Sequence, residues 1–344
     1  MVTSGFDHPR AYDPRARHPP SDRAIATLPP PVRPGDRVGV AALSGPVDPA
    51  RLARGLAALR ALGFEVVEAA NLRSRDGLFA GADAERLRAF HDLADRDDVG
   101  AIFFARGGYG VHRLLPHFDW PRLARHPRAY IGYSDLTPFL LQVVARLGCI
   151  AFHGPMVAAD LARGLRDDER TSLLDALAGR LPSTVPLAGR IDGGCERAPA
   201  TSGPLLGGCL SLLAGLLGTP YAPDLRGAWL LLEEVSEPRY RLDRMLTHLR
   251  LSGTLANLRG IVFGHAIAYD EGQLTCASDA IADPARPWLD CLDALAPDPV
   301  PVYWGIPAGH AAPNWTLPLG SIVRPTSTGD ALHLGDPELH SSDG

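Results

Sequence analysis

The chain contains no lysine: all 34 of its basic residues are arginine. That absence removes a Schiff-base lysine, the lysine of a nucleotide-binding P-loop and a serine–lysine dyad. Cysteine is scarce. Cys149, Cys195, Cys209, Cys276 and Cys291 are odd in number, and no pair stands at CxxC spacing. This argues against a disulfide framework and a zinc knuckle, and a reducing compartment fits. HExxH is absent, as is any tight histidine–cysteine cluster, so no metal is expected. No run approaches the ~20 apolar residues of a membrane span. The first residues lack the apolar core of a secretory signal. A net charge of −5 offers no electrostatic case for nucleic acid or an anionic membrane as partner. The expected location is cytoplasmic.

What is present suits an ordinary globular protein. A chain of 344 residues, 46% hydrophobic and 21% charged, suggests about two domains with real cores. Residues 1–34 are rich in Pro, Arg, Asp and His and read as a disordered leader. From 35 to 180, strand-like runs alternate with helical ones. RVGVAAL, FEVVEAA, VGAIFFA, AYIGY and CIAFHG are the strands; PARLARGLAALRALG and AERLRAFHDLAD are helices. Such alternation predicts a parallel sheet covered on both faces. Residues 181–204 are dense in Pro, Gly, Ser and Thr and read as a linker. A second domain, 205–338, opens with an expected helix over 207–220. It continues through the strands WLLLEEV, RGIVFGH and PVYWGIPAGH, with the helix YRLDRMLTHLRLSG, to a β-rich tail; 339–344 trail beyond it. The predicted class is α/β in two domains.

Ligands of open α/β sheets bind beyond the carboxyl ends of the strands. Arg106-Gly107-Gly108-Tyr109-Gly110, Ser134-Asp135, His153, Glu233-Glu234, His265 and His310 all stand at such ends. Ser134 has two readings. It is a helix cap, or it is a nucleophile raised on a sharp strand-to-helix turn, although GYSD is not the GxSxG of ordinary α/β-hydrolases. RGGYG lacks both GxGxxG and the P-loop spacing, so no cofactor is expected. A glycine loop can instead aim a backbone N–H at a developing oxyanion. Glu233 and Glu234 face opposite sides of one strand, which makes them poor partners for a glycosidase pair. Spacing alone does not choose among His153, His265 and His310.

Seven ordered strings, ARGGYG, IGYSDLT, FHGPM, GPLLGGCLSLLAGLLGTP, LLLEEVSEPRYRLDRMLTHLRLSG, GIVFGH and GIPAGHAAPNWTLPLG, cover about residues 35–335. Together they resemble the LD-carboxypeptidases, serine peptidases that trim muramoyl tetrapeptides. The resemblance implies an N-terminal Rossmann-like sheet flanked by helices and a mixed α/β C-terminal domain. It implies Ser134 as nucleophile, His310 as base and Glu233 as its partner, without a cofactor. The oxyanion donors it implies are the amides of Gly108 (or Gly107) and Asp135. It further implies a muropeptide substrate, loss of a terminal D-alanine in peptidoglycan recycling, and a homodimer. Arg106, Arg239 and Arg241 are candidates for reading the substrate's terminal carboxylate, with Gly107 and Cys209 beside it. Cys209 departs from the family's usual GGN, in which asparagine follows the glycine pair.

The same superfamily includes microcin C self-immunity peptidases, which cleave aminoacyl–nucleotide analogues. None of the five tryptophans lies in 160–203, where that branch tends to carry them. A non-catalytic small-molecule-binding protein is the alternative from another class.

Overall fold

The computed structural model describes residues 26–191, 201–269, 286–289, 291 and 300–335. Most of the expected leader, the tail, Cys195 and Cys276 lie outside them. The leader reading stops short of residue 34, however. The Thr27 amide donates to the Gly148 carbonyl at 2.9 Å, and Val32 is buried.

The first sheet holds β1 (Arg37–Ala41), β2 (Glu65–Glu68), β3 (Val99–Phe104), β4 (Ala129–Gly132) and β5 (Ala151–His153). All five are parallel, in the order β5-β4-β3-β1-β2. Around them run α1 (Pro49–Ala61), α2 (Asp83–Ala94), α3 (Val111–Leu114), α4 (Trp120–Ala124), α5 (Thr137–Leu147) and α6 (Asp167–Leu177). Helix α1 starts where Asp48 accepts the Arg51 amide at 2.8 Å, with Pro49 in the first turn. Strand β3 shows why both faces must be covered. Ile102 and Phe104 join the core with Phe90 of α2 and Phe139 of α5, while Ala101 and Phe103 join a second core with α1 and α6. Each fully buried phenylalanine contributes ~1.5–3 kcal/mol of apolar transfer energy.

The second sheet is built from β6 (Thr184–Pro186), β7 (Gly189–Ile191), β8 (Gly203–Cys209), β9 (Trp229–Pro238), β10 (Gly260–Tyr269) and β11 (Val302–Trp304). After β12 (Leu317–Leu319), it adds β13 (Ile322–Pro325) and β14 (Ala331–Leu334). The order is β6-β14-β13-β8-β9-β10-β11-β7, with β8 through β11 parallel and the flanks antiparallel. Helices α7 (Leu210–Ala214) and α8 (Arg239–Leu251) pack on it.

Three features differ from the sequence reading. The stretch read as a linker is no open tether, because β6 and β7 lie inside it and take both ends of the second sheet. The helix expected over 207–220 shrinks to α7. Gly207 and Gly208 pair with Leu231 and Leu232 as strand instead, consistent with glycine's poor helix propensity. Strand β12 crosses back and adds to β5 antiparallel, so the first sheet is parallel except at this edge.

The core is continuous across the junction: Phe139 and Leu140 of α5 belong to the same cluster as Leu210, Trp229 and Leu231. Among the described residues no helix is long and apolar enough to cross a membrane.

Candidate active site

Strand β4 ends at Gly132, Tyr133 is extended, and Ser134 then takes φ +61° at the head of a short 3-10 turn that leads into α5. A left-handed serine costs ~1–2 kcal/mol relative to ordinary backbone. The cap reading is not what the strain serves, because no side chain caps α5 and its N-cap position is Leu136. The turn leaves the Ser134 side chain partly exposed between two buried neighbours, Tyr133 and Asp135.

The glycine loop lies against this turn. A Cβ on Gly107 would stand 2.9 Å from both Cβ and Oγ of Ser134, and 3.5 Å from the Asp135 amide nitrogen. Only a residue without a side chain permits that approach. The loop is held from several sides. The Gly45 amide donates to the Gly107 carbonyl at 3.3 Å, and the Val111 amide donates to Asp135 Oδ2 at 3.1 Å. Burial pushes the Asp135 carboxyl up to about 6, with hydrogen bonds such as that from Val111 pulling the other way.

The second domain supplies a buried acid and an imidazole. Glu233, in β9, is wholly buried, and its Oε2 lies 2.7 Å from His310 Nδ1. His310 follows Gly309 in the loop after β11. Gly309 has φ +118°, and a Cβ there would meet Glu233 Oε2 at 2.8 Å, so this position also requires glycine. Burial alone would lower the His310 pKa, but the charge of Glu233 and its hydrogen bond outweigh it and raise it. Burial likewise opposes ionisation of Glu233, yet His310 holds its pKa below the ordinary value. The two groups therefore stabilise each other's charged forms. The His310 ring packs edge-on against Tyr133, the residue before Ser134, with centroids 4.9 Å apart at 72°.

The geometry separates the three histidines. Burial drives His153 down to about 4 and also lowers His265, so both stay neutral at pH 7. Among the described residues, His310 alone of the three has a carboxylate on its ring. Glu233 and Glu234 diverge as the strand period requires. Glu234 accepts the Ser211 amide at 2.7 Å at the start of α7 and the Cys209 thiol at 3.4 Å. Cys209 is buried, and its amide donates to Thr137 Oγ1 of α5 at 3.1 Å. Its thiol does not cap α7 itself but contacts the carboxylate that does, and it is buried beside α5.

The arginine candidates divide. Arg106 is exposed and braces the loop through the carbonyls of Gly107 and Pro46, both at 3.1 Å. Arg239 is exposed at the head of α8, and Arg241 pairs with Glu237 at 3.0 Å. Sequence reasoning missed Tyr133, Asp160, Arg163, Glu169 and Asn314, which surround the His310 loop. The one local signal was an acidic first turn in α6. Among the described residues no group of three or more His, Cys, Asp or Glu side chains could hold a metal ion.

A strained serine turn beside a buried glutamate–histidine pair is the kind of arrangement that a serine-type hydrolase uses. The family follows from comparison with known proteins. The model for the LD-carboxypeptidase N-terminal domain matches residues 38–154, and that for the C-terminal domain matches 202–324. The chain belongs to the LD-carboxypeptidase family and is a serine-type carboxypeptidase. It is 32% identical to a probable murein peptide carboxypeptidase of Bacillus subtilis (strain 168), over 83% of this chain and 88% of that one. Among solved structures, it resembles a muramoyltetrapeptide carboxypeptidase from Oxalobacter formigenes, at 29% identity and TM-score 0.72, over 87% of this chain and 99% of that one. It also shares its fold with MccF in complex with glutamyl sulfamoyl guanosine, at 22% identity and TM-score 0.78, over 90% of this chain and 98% of that one.

Proposed function

We propose that the protein removes the terminal D-alanine from muropeptide tetrapeptides, through Ser134, His310 and Glu233, in peptidoglycan recycling in the cytoplasm. The observation that carries this reading is the buried 2.7 Å contact between Glu233 and the His310 ring, set beside the Ser134 turn through Tyr133. Serine is a weak nucleophile at neutral pH and needs a base. A carboxylate on Nδ1 fixes the tautomer that leaves Nε2 free to accept a proton.

In this mechanism Ser134 Oγ attacks the carbonyl of the amide before the D-residue, and its proton passes to His310 Nε2. The oxyanion is met by the amides of Gly108 and Asp135, and loss of one such donor typically costs ~10²–10³ in turnover. Collapse breaks the C–N bond, and His310 returns the proton to the leaving amine. Water then attacks the acyl-enzyme with His310 again taking a proton, the acyl C–O bond to Ser134 breaks, His310 returns the proton to Ser134 Oγ, and the tripeptide leaves with a free carboxyl group. The terminal carboxylate is read by arginine or backbone amides, since no lysine exists; Arg106 and Arg239 are the candidates.

The test is incubation with L-Ala-γ-D-Glu-diaminopimelate-D-Ala and mass detection of D-alanine, beside an aminoacyl sulfamoyl adenosine. Release of D-alanine by the parent but not by Ser134→Ala is expected. Turnover of the nucleoside analogue alone, or full activity in Ser134→Ala, would refute the reading.

A further inference from the structure

His310 arrives from the second domain, but the chain around it is held by the first. Asn314 Oδ1 accepts the Gly309 amide at 3.1 Å, which closes the His310 loop on itself. The Asn314 amide in turn donates to Glu169 Oε1 of α6 at 2.7 Å. The next two residues are tied to the same helix. Trp315 Nε1 donates to Asp168 at 3.2 Å, and the Thr316 amide donates to Ser172 Oγ at 3.1 Å.

Glu169 itself is fixed. Its side chain is fully buried, it accepts the Arg166 amide at 2.7 Å, and both its oxygens engage Arg163, one at 3.1 Å. Arg163 continues to Asp160 at 3.5 Å, and Asp160 accepts the Met156 amide at 3.0 Å. Buried Tyr133, whose hydroxyl pKa is raised by burial and by the nearby Asp160 charge, lies with its ring against His310. The polar chain therefore runs from Asp160 through Arg163 and Glu169 to the loop that carries the imidazole. Asp160 and Glu169 are buried while Arg163 is exposed, and the ion-paired hydrogen bonds among the three are of the stronger, geometrically demanding kind.

We propose that Glu169, acting through Asn314, is a positioning residue that sets the His310 imidazole against Ser134. This rests on His310 being the base for Ser134. Cα of residue 314 is four residues from the imidazole, so a lost tether at either end lets the ring drift while leaving substrate contacts in place. A displacement of about 1 Å can cost on the order of 10²-fold in rate.

Asn314→Ala removes only the side-chain bond to Gly309, because its own amide can still reach Glu169. Glu169→Ala removes the anchor, and Glu169→Gln keeps an acceptor for the Asn314 amide. On the tetrapeptide, Asn314→Ala is expected to lower kcat by roughly 10- to 100-fold with KM little changed. Glu169→Ala should show the same pattern, with much of the loss restored in Glu169→Gln. Wild-type kcat in Asn314→Ala, or a change in KM alone, overturns the proposal. If Glu169→Ala does not fold, Asn314→Ala still tests the link from residue 314 to the His310 loop, and wild-type kcat there overturns the proposal. Ser134→Ala in parallel separates the two ideas: an active Ser134→Ala sinks the reading of the site, whereas an inactive one beside an unimpaired Asn314→Ala sinks this inference alone. Should the parent prove inactive on the peptide, the downfield proton between His310 and Glu233 still decides by NMR. Its resonance moves in Asn314→Ala if the tether positions the ring, and stays if it does not.

Discussion

Replacing Gly107 by alanine tests the nucleophile turn with a single methyl group. The new Cβ would lie 2.9 Å from Ser134 Oγ and Cβ. Ordinary carbon contacts settle near ~3.5–4.0 Å, so the overlap is about 0.6–1.1 Å. The backbone at Gly107 is not left-handed, so alanine brings no torsional penalty of its own, and its N–H remains available. The overlap must then be relieved by moving the serine or the loop. Ser134 is already held at φ +61° between buried Tyr133 and Asp135, which leaves its side chain and the loop as the parts that give. Either movement disturbs the attack geometry by up to ~1 Å, which predicts a fall in kcat of about 10². The assay is D-alanine release under saturating tetrapeptide, with the thermal unfolding midpoint measured on the same sample. A folded Gly107→Ala protein with parental kcat would refute the claim that the loop presses on the nucleophile.

Substitutions at two further positions probe the charge pair and the strained turn. Glu233→Gln should lower kcat by ~10³–10⁴ by freeing the tautomer. The base must be neutral, so parental kcat/KM falls as pH drops through a midpoint above the ordinary histidine value of 6.5; with glutamine the charge and hydrogen bond of Glu233 are lost, burial is opposed only by the charges of Glu234 and Asp160, and the midpoint moves down. Stability from the pair follows the same signs. The histidine part is present below 6.5 and lost as pH rises through the raised value, and the glutamate part is present above 4.5 and lost as pH falls through its depressed value. A pH–rate profile that does not shift in Glu233→Gln would contradict this. Ser134→Gly and Ser134→Ala should both be inactive, but the glycine variant should be more stable than the alanine variant by ~1 kcal/mol, because only glycine adopts the left-handed turn freely. Urea midpoints in which alanine equals or exceeds glycine would show that the turn carries no strain.

The parallel sheet around VGAIFFA and AYIGY, the strands WLLLEEV and RGIVFGH, and the strand-to-helix turn at Ser134 were all legible in the sequence. Their signals are local: apolar period, glycine stops and cap residues act within a few positions. The family was legible too, since its blocks are contiguous strings. Which histidine meets the buried glutamate was not. His153, His265 and His310 each read in the sequence as the end of a strand, and only the fold, which keeps His153 and His265 within β5 and β10, brings His310 to a carboxylate 77 residues away while leaving the other two neutral. The course of β12 back to β5, the turning of Cys209 toward Glu234, and the grip of α6 on Asn314 were equally hidden. Each is a pairing between distant segments. Its energy comes from burial and charge that exist only once both sheets have packed, and no local pattern encodes that.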